Sequence, residues 1–396
     1  MTQVPKRKLN NVTQRADGRW VARKIFGYKP NGKPNRKSFY AGTAFEASQK
    51  LSDYERQVEN GLNADAETLN FSKWLTLWIY EYKLKSLRPH TYDTYETLIK
   101  FRIIPALGKY KLLKLRPEHL QAFINNLKKE NGEALSVSTI KKIKCVISGA
   151  LKQAVKNGLI TRNPADALSL PKRNKNKKVG AFTPTEQTIF LKQIYSHRIY
   201  ALFVLAIGTD MRIGELLALR WSDINFKQNE INVSVSVSRS KDREATTGNV
   251  LKSSIKVAEP KTKAGSRVIP MTFEVRQALV KHREAQTAER FHAQNAWTDN
   301  GLVFCTALGG YLEYRNVTRL YERQRELSGI SDLTFHCLRH TFATNAISAG
   351  LDYYYLYRIM GHTTISVTLD VYAEYMPDKS RSEMEKMEGV LSLKFA

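Results

Sequence analysis

The sequence has few cysteines and lacks long apolar runs. Its three cysteines, Cys145, Cys305 and Cys337, are odd in number and far apart, which is typical of a reducing compartment without disulfides. No run of about 18 apolar residues occurs, so no transmembrane helix is predicted. The basic N-terminus lacks the apolar segment of a signal peptide. We therefore expect a cytoplasmic protein with no membrane partner.

Motifs for cofactors and metals are missing as well. There is no Walker loop, and no Gly-x-Gly-x-x-Gly opens a helix after a strand, so no nucleotide cofactor is indicated. His336, Cys337, His340 and His362 match no zinc spacing, and no cysteine pair accompanies them. No nucleophile elbow supports a Ser/His/Asp hydrolase. The sequence predicts neither a cofactor nor a metal.

Acidic residues are scarce relative to basic ones. The 396 residues include 63 Lys and Arg against 37 Asp and Glu, which gives a net charge of +26. Hydrophobic residues make up 42%, enough for the cores of two or three domains. A polyanionic partner, nucleic acid foremost, is the simplest explanation of the charge. A ribosome-like, merely basic or membrane-surface protein is the alternative.

Residues 1–65 are predicted to form a small domain of one sheet and one helix. Residues 18–26 alternate partly, a turn-rich link follows, and residues 36–40 return as a second strand. Thr43 and Glu46 form a capping box before a helix. Basic residues on such a sheet can enter a major groove, and a solvated hairpin is the alternative. The candidate DNA contacts are Arg19, Arg23, Lys24, Arg36 and Lys37.

Residues 66–171 are predicted to be helical. Four stripes of apolar residues recur at helical spacing and predict a four-helix core, with lysines on the opposite faces. They are Phe71, Trp74, Leu75 and Trp78; Tyr92, Tyr95, Leu98 and Ile99; Leu120, Phe123, Ile124 and Leu127; and Ile140, Ile143, Ile147, Ala150, Leu151 and Ala154. Residues 172–179 form a basic linker that can follow a duplex backbone. Its candidate DNA contacts are Lys172, Arg173, Lys175, Lys177 and Lys178.

Residues 180–396 are predicted to form a mainly helical domain with one small sheet. Thr183 and Glu186 form a capping box, and residues 201–207 form a buried apolar helix. Residues 231–237 alternate strictly and predict one strand, and another ends at residues 268–270 after a turn.

Side chains suited to a phosphodiester concentrate near the C-terminus. His336 and Arg339 lie one helical turn apart, and His362 and Tyr372 follow. A protein nucleophile that cleaves this bond needs fixed cations for the nonbridging oxygens, a proton donor for the leaving oxygen and a way to lose its own proton. A lone histidine is more often a core residue, but several phosphate-type groups in one short stretch favour a site.

Two further cations lie upstream. Arg212 stands between an apolar helix and the next helix start, where a surface arginine that caps a helix is the alternative. Lys261 lies at a predicted hairpin turn, and by itself it is indistinguishable from an ordinary exposed lysine.

Four segments resemble the active-site boxes of tyrosine recombinases, the phage integrase family: TDMRIGELLALRW, EPKTKAGSRVIP, HCLRHTFAT and MGHTTISVTLDVY. The basic modules ahead of them resemble those in integrases of Gram-positive phages and conjugative transposons. The resemblance implies a mainly α multidomain fold. It comprises an arm-type DNA-binding domain (1–65), a SAM-like core-binding domain (66–171) and, after the linker (172–179), a catalytic domain with a C-terminal tail (180–396).

The resemblance implies a role for each candidate at the phosphate. Arg212 and Arg339 would grip the scissile phosphate. His336 would assist proton transfer, and His362 would hydrogen-bond the phosphate. Glu215 would hold the cationic side chains in place from a second layer.

The remaining roles concern the bond that is broken. Lys261 would protonate the leaving 5′-oxygen, and Tyr372 would attack to give a 3′-phosphotyrosyl intermediate. Tyr375 lies one turn too far for the family spacing. The cluster of Tyr353, Tyr354, Tyr355 and Tyr357 precedes His362 and is expected to pack or to face DNA.

Asp210 departs from the pattern, because many relatives have glycine in a Thr-Gly-x-Arg string. A carboxylate here could pair with Arg212 and weaken its grip, or it could cap the next helix. We expect the cap.

The resemblance implies a site-specific DNA recombinase that integrates and excises a mobile element. Its partners would be double-stranded attachment sites, bound as a homotetramer, and an excisionase and a host DNA-bending protein are candidate accessory partners. A type IB topoisomerase-like enzyme and a catalytically idle DNA-binding regulator are the alternatives. The apolar tail, residues 389–396, packs in cis or docks on a neighbouring subunit, and we hypothesise the latter.

Overall fold

The computed structural model describes residues 11–28, 32–59, 68–129, 131–172, 180–243, 250–259 and 265–361. The described residues fall into two compact units. The first comprises those up to 172 together with Arg243 and Val250, and the second comprises the others from 180 onward. Several predictions concern residues outside these ranges: Lys261, His362, Tyr372, Tyr375, Arg173, Lys175, Lys177, Lys178 and the tail at 389–396.

The N-terminal part of the first unit is a three-stranded antiparallel sheet covered by one helix. Its strands are β1 (Val12–Gln14), β2 (Trp20–Tyr28) and β3 (Pro34–Ala41), in the order β1-β2-β3, and the helix is α1 (Ala44–Glu59). The Thr43 hydroxyl accepts a hydrogen bond from the backbone N–H of Glu46 at 3.2 Å, as predicted for a helix start. The predicted sheet-and-helix module is confirmed.

The rest of the first unit is helical, as predicted. Its helices are α2 (Phe71–Leu77), α3 (Pro89–Leu98), α4 (Ile104–Leu107), α5 (Pro117–Asn125) and α6 (Val137–Lys156), with π-helical turns at Trp78–Lys83 and Ile99–Ile103. The four apolar stripes share one core. The Trp74 indole donates to the carbonyl of Ala150 at 2.9 Å. A Cβ at Gly149 would lie 3.2 Å from the Trp78 ring, so glycine allows this close packing.

The described residues of the second unit form seven α-helices: α7 (Pro184–Gln193), α8 (Tyr200–Gly208), α9 (Ile213–Leu216), α10 (Phe273–Ala293), α11 (Tyr314–Leu327), α12 (Cys337–Ser348) and α13 (Tyr353–Met360). Every residue from 201 to 207 is buried, so α8 lies at the centre of the core. The Thr183 and Glu186 capping box at the start of α7 is present. None of the described helices combines the length and apolar character needed to span a bilayer.

The strands of this part of the chain are β4 (Ile224–Asn225), β5 (Glu230–Val233), β6 (Ser236–Arg243), β7 (Val250–Ala258) and β8 (Arg267–Pro270). They form a sheet in the order β4-β5-β8 and a separate pair, β6-β7. The prediction of one strand over 231–237 is therefore wrong. Val233 pairs with Arg267, the first residue of β8, so β5 has no partner beyond it. The chain then turns and begins a second hairpin.

Candidate active site

Arg212 lies in a tight turn between α8 and α9. It is the N-cap residue of α9, and its backbone N–H donates to Oε2 of Glu215 at 2.9 Å. Its guanidinium Nη1 donates to Oε1 of the same carboxylate, also at 2.9 Å. The Arg212 side chain is still 43% exposed. Glu215 therefore fixes the backbone and one guanidinium nitrogen of Arg212, while the rest of the guanidinium remains accessible to a ligand.

The Glu215 carboxylate is the centre of a buried ionic cluster. Its side chain is 4% exposed, and it accepts two hydrogen bonds from Arg267, from Nη2 at 2.9 Å and Nη1 at 3.3 Å. Burial alone would raise the pKa of Glu215, but the hydrogen bonds and charges of Arg267 and Arg212 outweigh burial and lower it. Glu215 is thus an anion between two guanidinium groups, which is the arrangement that its predicted role requires.

Arg339 lies in the first turn of α12 and is almost completely buried. Its Nη1 donates to the carbonyl of Asp210 at 3.2 Å, and its Nη2 donates to the carbonyl of Met360 at 2.8 Å. Burial lowers the pKa of Arg339, while the Asp210 carboxylate opposes this change. An arginine keeps its charge under such a shift. The two predicted phosphate-binding arginines are therefore built differently, one exposed at a helix start and one buried.

Asp210 does not cap α9, contrary to expectation. The N-cap position is occupied by Arg212, two residues further on, so the Asp210 side chain is too early to reach the first free N–H groups. The Asp210 carboxylate is fully buried and lies 3.1 Å from Nε of Arg339. The alternative, an ion pair between Asp210 and Arg212, is not observed either, because the described cation in contact with the Asp210 carboxylate is Arg339.

His336 stands at the N-cap position of α12, beside these cations. Its ring meets that of His340 edge to face, with 5.0 Å between centroids. Partial desolvation of the ring by surrounding protein atoms lowers the pKa of His336 to about 4, and the charges of His340, Arg339 and Arg212 lower it further. The imidazole is therefore neutral near neutral pH, so one ring nitrogen can donate a hydrogen bond and the other can accept a hydrogen bond or a proton.

Arg267 is the member of the cluster that sequence reasoning missed. Besides its bonds to Glu215, its Nε donates to the carbonyl of Ile359 at 2.7 Å. A signal was available, since Arg267 and Ile269 are two residues apart on one strand and side chains with this spacing share a face. A buried Ile269 therefore implied an inward Arg267.

The C-terminal end of α13 is attached to the same cluster. The carbonyls of Ile359 and Met360 accept hydrogen bonds from Arg267 and Arg339, and Gly361 ends the helix with a left-handed φ of 57°. The cluster thus ties together the turn before α9, strand β8, α12 and the end of α13. His362 is the next residue in the sequence.

The basic residues of the N-terminal sheet divide between its two faces. Lys24 and Lys37 are cross-strand partners on the α1 side, because Lys24 donates to Glu55 at 2.8 Å and the Lys37 amine lies 5.9 Å from the centre of the Tyr54 ring. Lys24 and Lys37 therefore lie on the helix-covered face of the sheet and not on its open face.

The open face carries the other three basic residues. In the register of β2 and β3, Arg23 is opposite Ser38 and Arg36 is opposite Ile25. Each arginine is adjacent in sequence to Lys24 or Lys37, so its side chain points to the other face of the sheet, away from α1. Arg19 is close to Tyr40, with 5.8 Å between the guanidinium carbon and the ring centre. Of the predicted linker contacts, Lys172 is described and exposed. Across the described ranges, no three His, Cys, Asp or Glu side chains are grouped to hold a metal ion.

Comparison with known proteins gives matches along most of the chain. The phage integrase family model matches residues 184–378, and the model of the SAM-like N-terminal domain of phage integrases matches residues 70–128. A tyrosine recombinase XerC-like protein of Caldanaerobacter subterraneus subsp. tengcongensis is 28% identical over 373 residues, covering 92% of this chain and 94% of that protein. The ICEBs1 integrase of Bacillus subtilis is 23% identical, with coverages of 96% and 100%.

Solved structures share the fold. A Tn1549 transposon integrase in complex with a circular intermediate DNA superposes with a TM-score of 0.64 at 24% identity, covering 81% of this chain and 100% of that one. A lambda integrase dimer bound to a core site gives a TM-score of 0.58 at 18% identity, covering 96% and 98%. The predicted mainly α fold is confirmed.

The family models and the relatives show that the chain is an enzyme of the tyrosine-type site-specific DNA recombinase class. The chain belongs to the phage integrase family. Its resemblance to integrases of Gram-positive mobile elements is confirmed by the relatives.

Proposed function

We propose that Arg212 and Arg339 bind the scissile phosphate of an attachment site and that Tyr372 attacks it. His336 and His362 complete the contacts to the phosphate oxygens. Glu215 positions Arg212 by accepting hydrogen bonds from its backbone N–H and its guanidinium. The enzyme integrates and excises a mobile element by this chemistry.

The observation that carries this proposal is the shared attachment of distant segments to one buried cluster. Arg339 binds the carbonyl of Asp210, which is 129 residues earlier in the chain, and also the carbonyl of Met360. These bonds bring the Arg212 turn beside the α12 start and fix the residues that precede His362. Cations held by buried partners provide preorganised charge, which stabilises a transition state without reorganisation during the reaction.

The proposed reaction exchanges one phosphodiester for another. The Tyr372 hydroxyl gives its proton to the neutral imidazole of His336, and its oxygen forms a bond to phosphorus while the bond to the 5′-oxygen breaks. Lys261 gives that leaving oxygen its proton. The products are a 3′-phosphotyrosyl bond and a free 5′-hydroxyl. A 5′-hydroxyl from the partner duplex then attacks the phosphotyrosine, which restores the tyrosine and joins the strands. The bond energy is conserved, so the scheme uses no nucleotide or metal.

The basic modules bring DNA to this site in our proposal. Residues 1–65 bind arm-type sites through the open face of the sheet, and residues 66–171 bind the core site together with the catalytic domain, 180–396. The linker, 172–179, follows the duplex backbone. One solved neighbour is a lambda integrase tetramer bound to a Holliday junction, which supports a homotetramer here. An excisionase and a host DNA-bending protein would select the direction of recombination.

A nicked suicide substrate tests the chemistry. The substrate is a duplex taken from the DNA that flanks the gene, with a nick close to the cleavage point so that the cut fragment diffuses away. Wild-type protein should become covalently attached to the labelled strand, and Tyr372→Phe should show no attachment because it lacks the nucleophilic oxygen. Denaturing gel electrophoresis measures the covalent complex.

Tyr375→Phe is the matched control, since it removes the same oxygen from a tyrosine three residues further along the sequence. It should retain covalent attachment within a few fold. Attachment that survives in Tyr372→Phe but disappears in Tyr375→Phe would move the nucleophile. If wild-type protein binds this DNA but attaches to none of it, the regulator alternative replaces the enzyme.

A further inference from the structure

Asp210 is a buried charged residue to which the reaction scheme gives no role. It is fully buried in the turn between α8 and α9, and its φ of 58° is in the left-handed region. Its carbonyl accepts hydrogen bonds from Nη1 of Arg339 at 3.2 Å and from Nη2 of Arg267 at 3.5 Å. The main chain at this position therefore anchors both guanidinium groups.

The Asp210 side chain makes a different kind of contact. Its Oδ1 lies 3.1 Å from Nε of Arg339, yet neither carboxylate oxygen has an aligned hydrogen bond with any described residue. Burial raises the pKa of Asp210 above its usual range, and the charges of Arg339, Arg267 and Arg212 offset only part of that rise. We treat the carboxylate as ionised because three guanidinium groups favour its charged form. The carbonyl thus supplies directed bonds, and the carboxylate supplies mainly charge.

The charges in the cluster are nearly balanced without DNA. Three guanidinium groups, those of Arg212, Arg267 and Arg339, are grouped with the carboxylates of Asp210 and Glu215. Glu215 binds Arg212 and Arg267, whereas Asp210 is the carboxylate in contact with Arg339 and acts on it more strongly than Glu215 does. Coulomb energies are large at this depth, because little water screens them.

We propose that the Asp210 carboxylate offsets the charge of Arg339 and so weakens the hold of this enzyme on the scissile phosphate, while the Asp210 carbonyl positions the guanidinium. The inference rests on the proposed function, in which Arg339 binds that phosphate. A phosphate that arrives at Arg339 competes with an anion already in place. Removal of the carboxylate charge leaves a buried cation uncompensated until an anion binds.

Two substitutions remove the charge and keep the carbonyl. Asp210→Asn preserves the shape, and Asp210→Gly suits the left-handed backbone and serves if the amide is not tolerated. Thermal unfolding of the full chain is followed in rising concentrations of inorganic phosphate, with chloride holding the ionic strength constant. Without phosphate, both variants should melt below wild type. With phosphate, their half-saturating concentration should fall roughly tenfold, because the phosphate replaces the lost charge.

Asn229→Gly is the matched backbone control. Asn229 is also left-handed, with a φ of 56°, but it is exposed in the turn between β4 and β5. The Asn229→Gly variant should show the same dependence of melting temperature on phosphate concentration as wild type. A structural role for the Asp210 side chain would lower the melting temperature equally with and without phosphate, and that parallel loss, or a rise in half-saturation, overturns the inference.

Arg339→Ala separates the inference from the proposed function. In the Arg339→Ala background, Asp210→Asn should no longer change the phosphate dependence, since the cation that the carboxylate offsets is gone. If Asp210→Asn still sharpens phosphate binding there, the charge acts through another residue and the inference fails alone. If Arg339→Ala by itself leaves phosphate stabilisation unchanged, Arg339 is not a phosphate ligand, and the proposed function fails together with the inference.

Discussion

Two regions of this molecule carry arginines that we propose contact a phosphate backbone, and the two regions hold these arginines in opposite ways. At the candidate active site, Arg267 and Arg339 are buried and fixed by carboxylates and carbonyls. On the N-terminal sheet, Arg23 and Arg36 extend from an open face into solvent. The first arrangement fixes geometry within hydrogen-bond distances, and the second leaves the side chains free to adapt to a duplex.

The difference follows from what each region has to do. A transition state requires cations at set positions, and burial with paired anions supplies them. A buried pair is also fragile, because removal of one partner leaves the other charge desolvated. Exposed arginines make small contributions that add together and weaken with salt. Substitutions should therefore affect folding in the first region and salt-dependent binding in the second.

The largest expected effect is on the stability of the buried cluster. Glu215→Gln removes the negative charge between Arg212 and Arg267 but nearly preserves the shape of the side chain. We expect the free energy of unfolding to fall by about 3 kcal/mol, since two guanidinium groups lose their shared anion and one of them is buried. Urea denaturation of the full chain, followed by circular dichroism, measures the loss.

The ion pair of Arg290 and Asp299 is the exposed counterpart. Its N–O distance is 2.9 Å, the same as that between Arg267 and Glu215, but its side chains are 59% and 56% exposed. Asp299→Asn should change the free energy of unfolding by less than about 0.5 kcal/mol. Equal losses in the two variants would mean that burial does not determine how much stability an ion pair contributes in this protein.

The sequence predicted the helical cores and some residues of the buried cluster, but not the contacts among those residues. Periodicity located the four-helix core and α8, because apolar spacing depends on the local helix geometry. The residue types and spacing singled out Arg212 and Arg339, and the resemblance to the integrase family added Glu215. The hydrogen bonds among them could not be predicted, because Asp210 and Arg339 are 129 residues apart in sequence and meet only in the folded unit.

The errors have local physical causes. Residues 231–237 alternate throughout, but a strand also requires a partner, and β8 begins only at Arg267. Asp210 is a good capping residue by type, yet its left-handed backbone and the position of Arg212 direct its side chain into the interior. Register also decided which basic residues share a face, since Lys24 and Lys37 pair on the side that α1 covers.

The second prediction concerns the open face of the N-terminal sheet. Arg23→Ala and Arg36→Ala should each reduce the slope of log affinity against log salt by about 0.9, the value for one phosphate contact on B-form DNA. The free energy of unfolding should change by less than about 0.5 kcal/mol, because neither side chain is buried. Fluorescence anisotropy with the full chain and a random-sequence duplex, at several salt concentrations, gives the slope.

Lys24→Ala is the control for that slope. It removes a positive charge from the same strand, but from the face on which Lys24 binds Glu55. The slope should remain that of wild type. A reduction as large as that of Arg23→Ala would show that binding responds to total charge and not to the face of the sheet.

The smallest expected effect tests the electrostatics beside Arg339. His336 is exposed at the surface, but protein atoms around one side of its ring displace water there, and together with neighbouring cations they lower its pKa to about 4 from an ordinary value of 6.5. Between these pH values the unfolded chain binds a proton at His336 that the folded chain does not, so the free energy of unfolding falls as pH falls from 6.5 toward 4. Above pH 6.5 neither state binds the proton, and His336 adds no pH dependence.

His336→Gln should therefore show a shallower decline in the free energy of unfolding in acid and an unchanged slope above pH 7, measured by urea denaturation at each pH. Other carboxylates and histidines titrate equally in both proteins and cancel in the comparison. Parallel curves would mean that the cluster does not act on this imidazole, and that the charge of Arg339 is neutralised within its buried contacts.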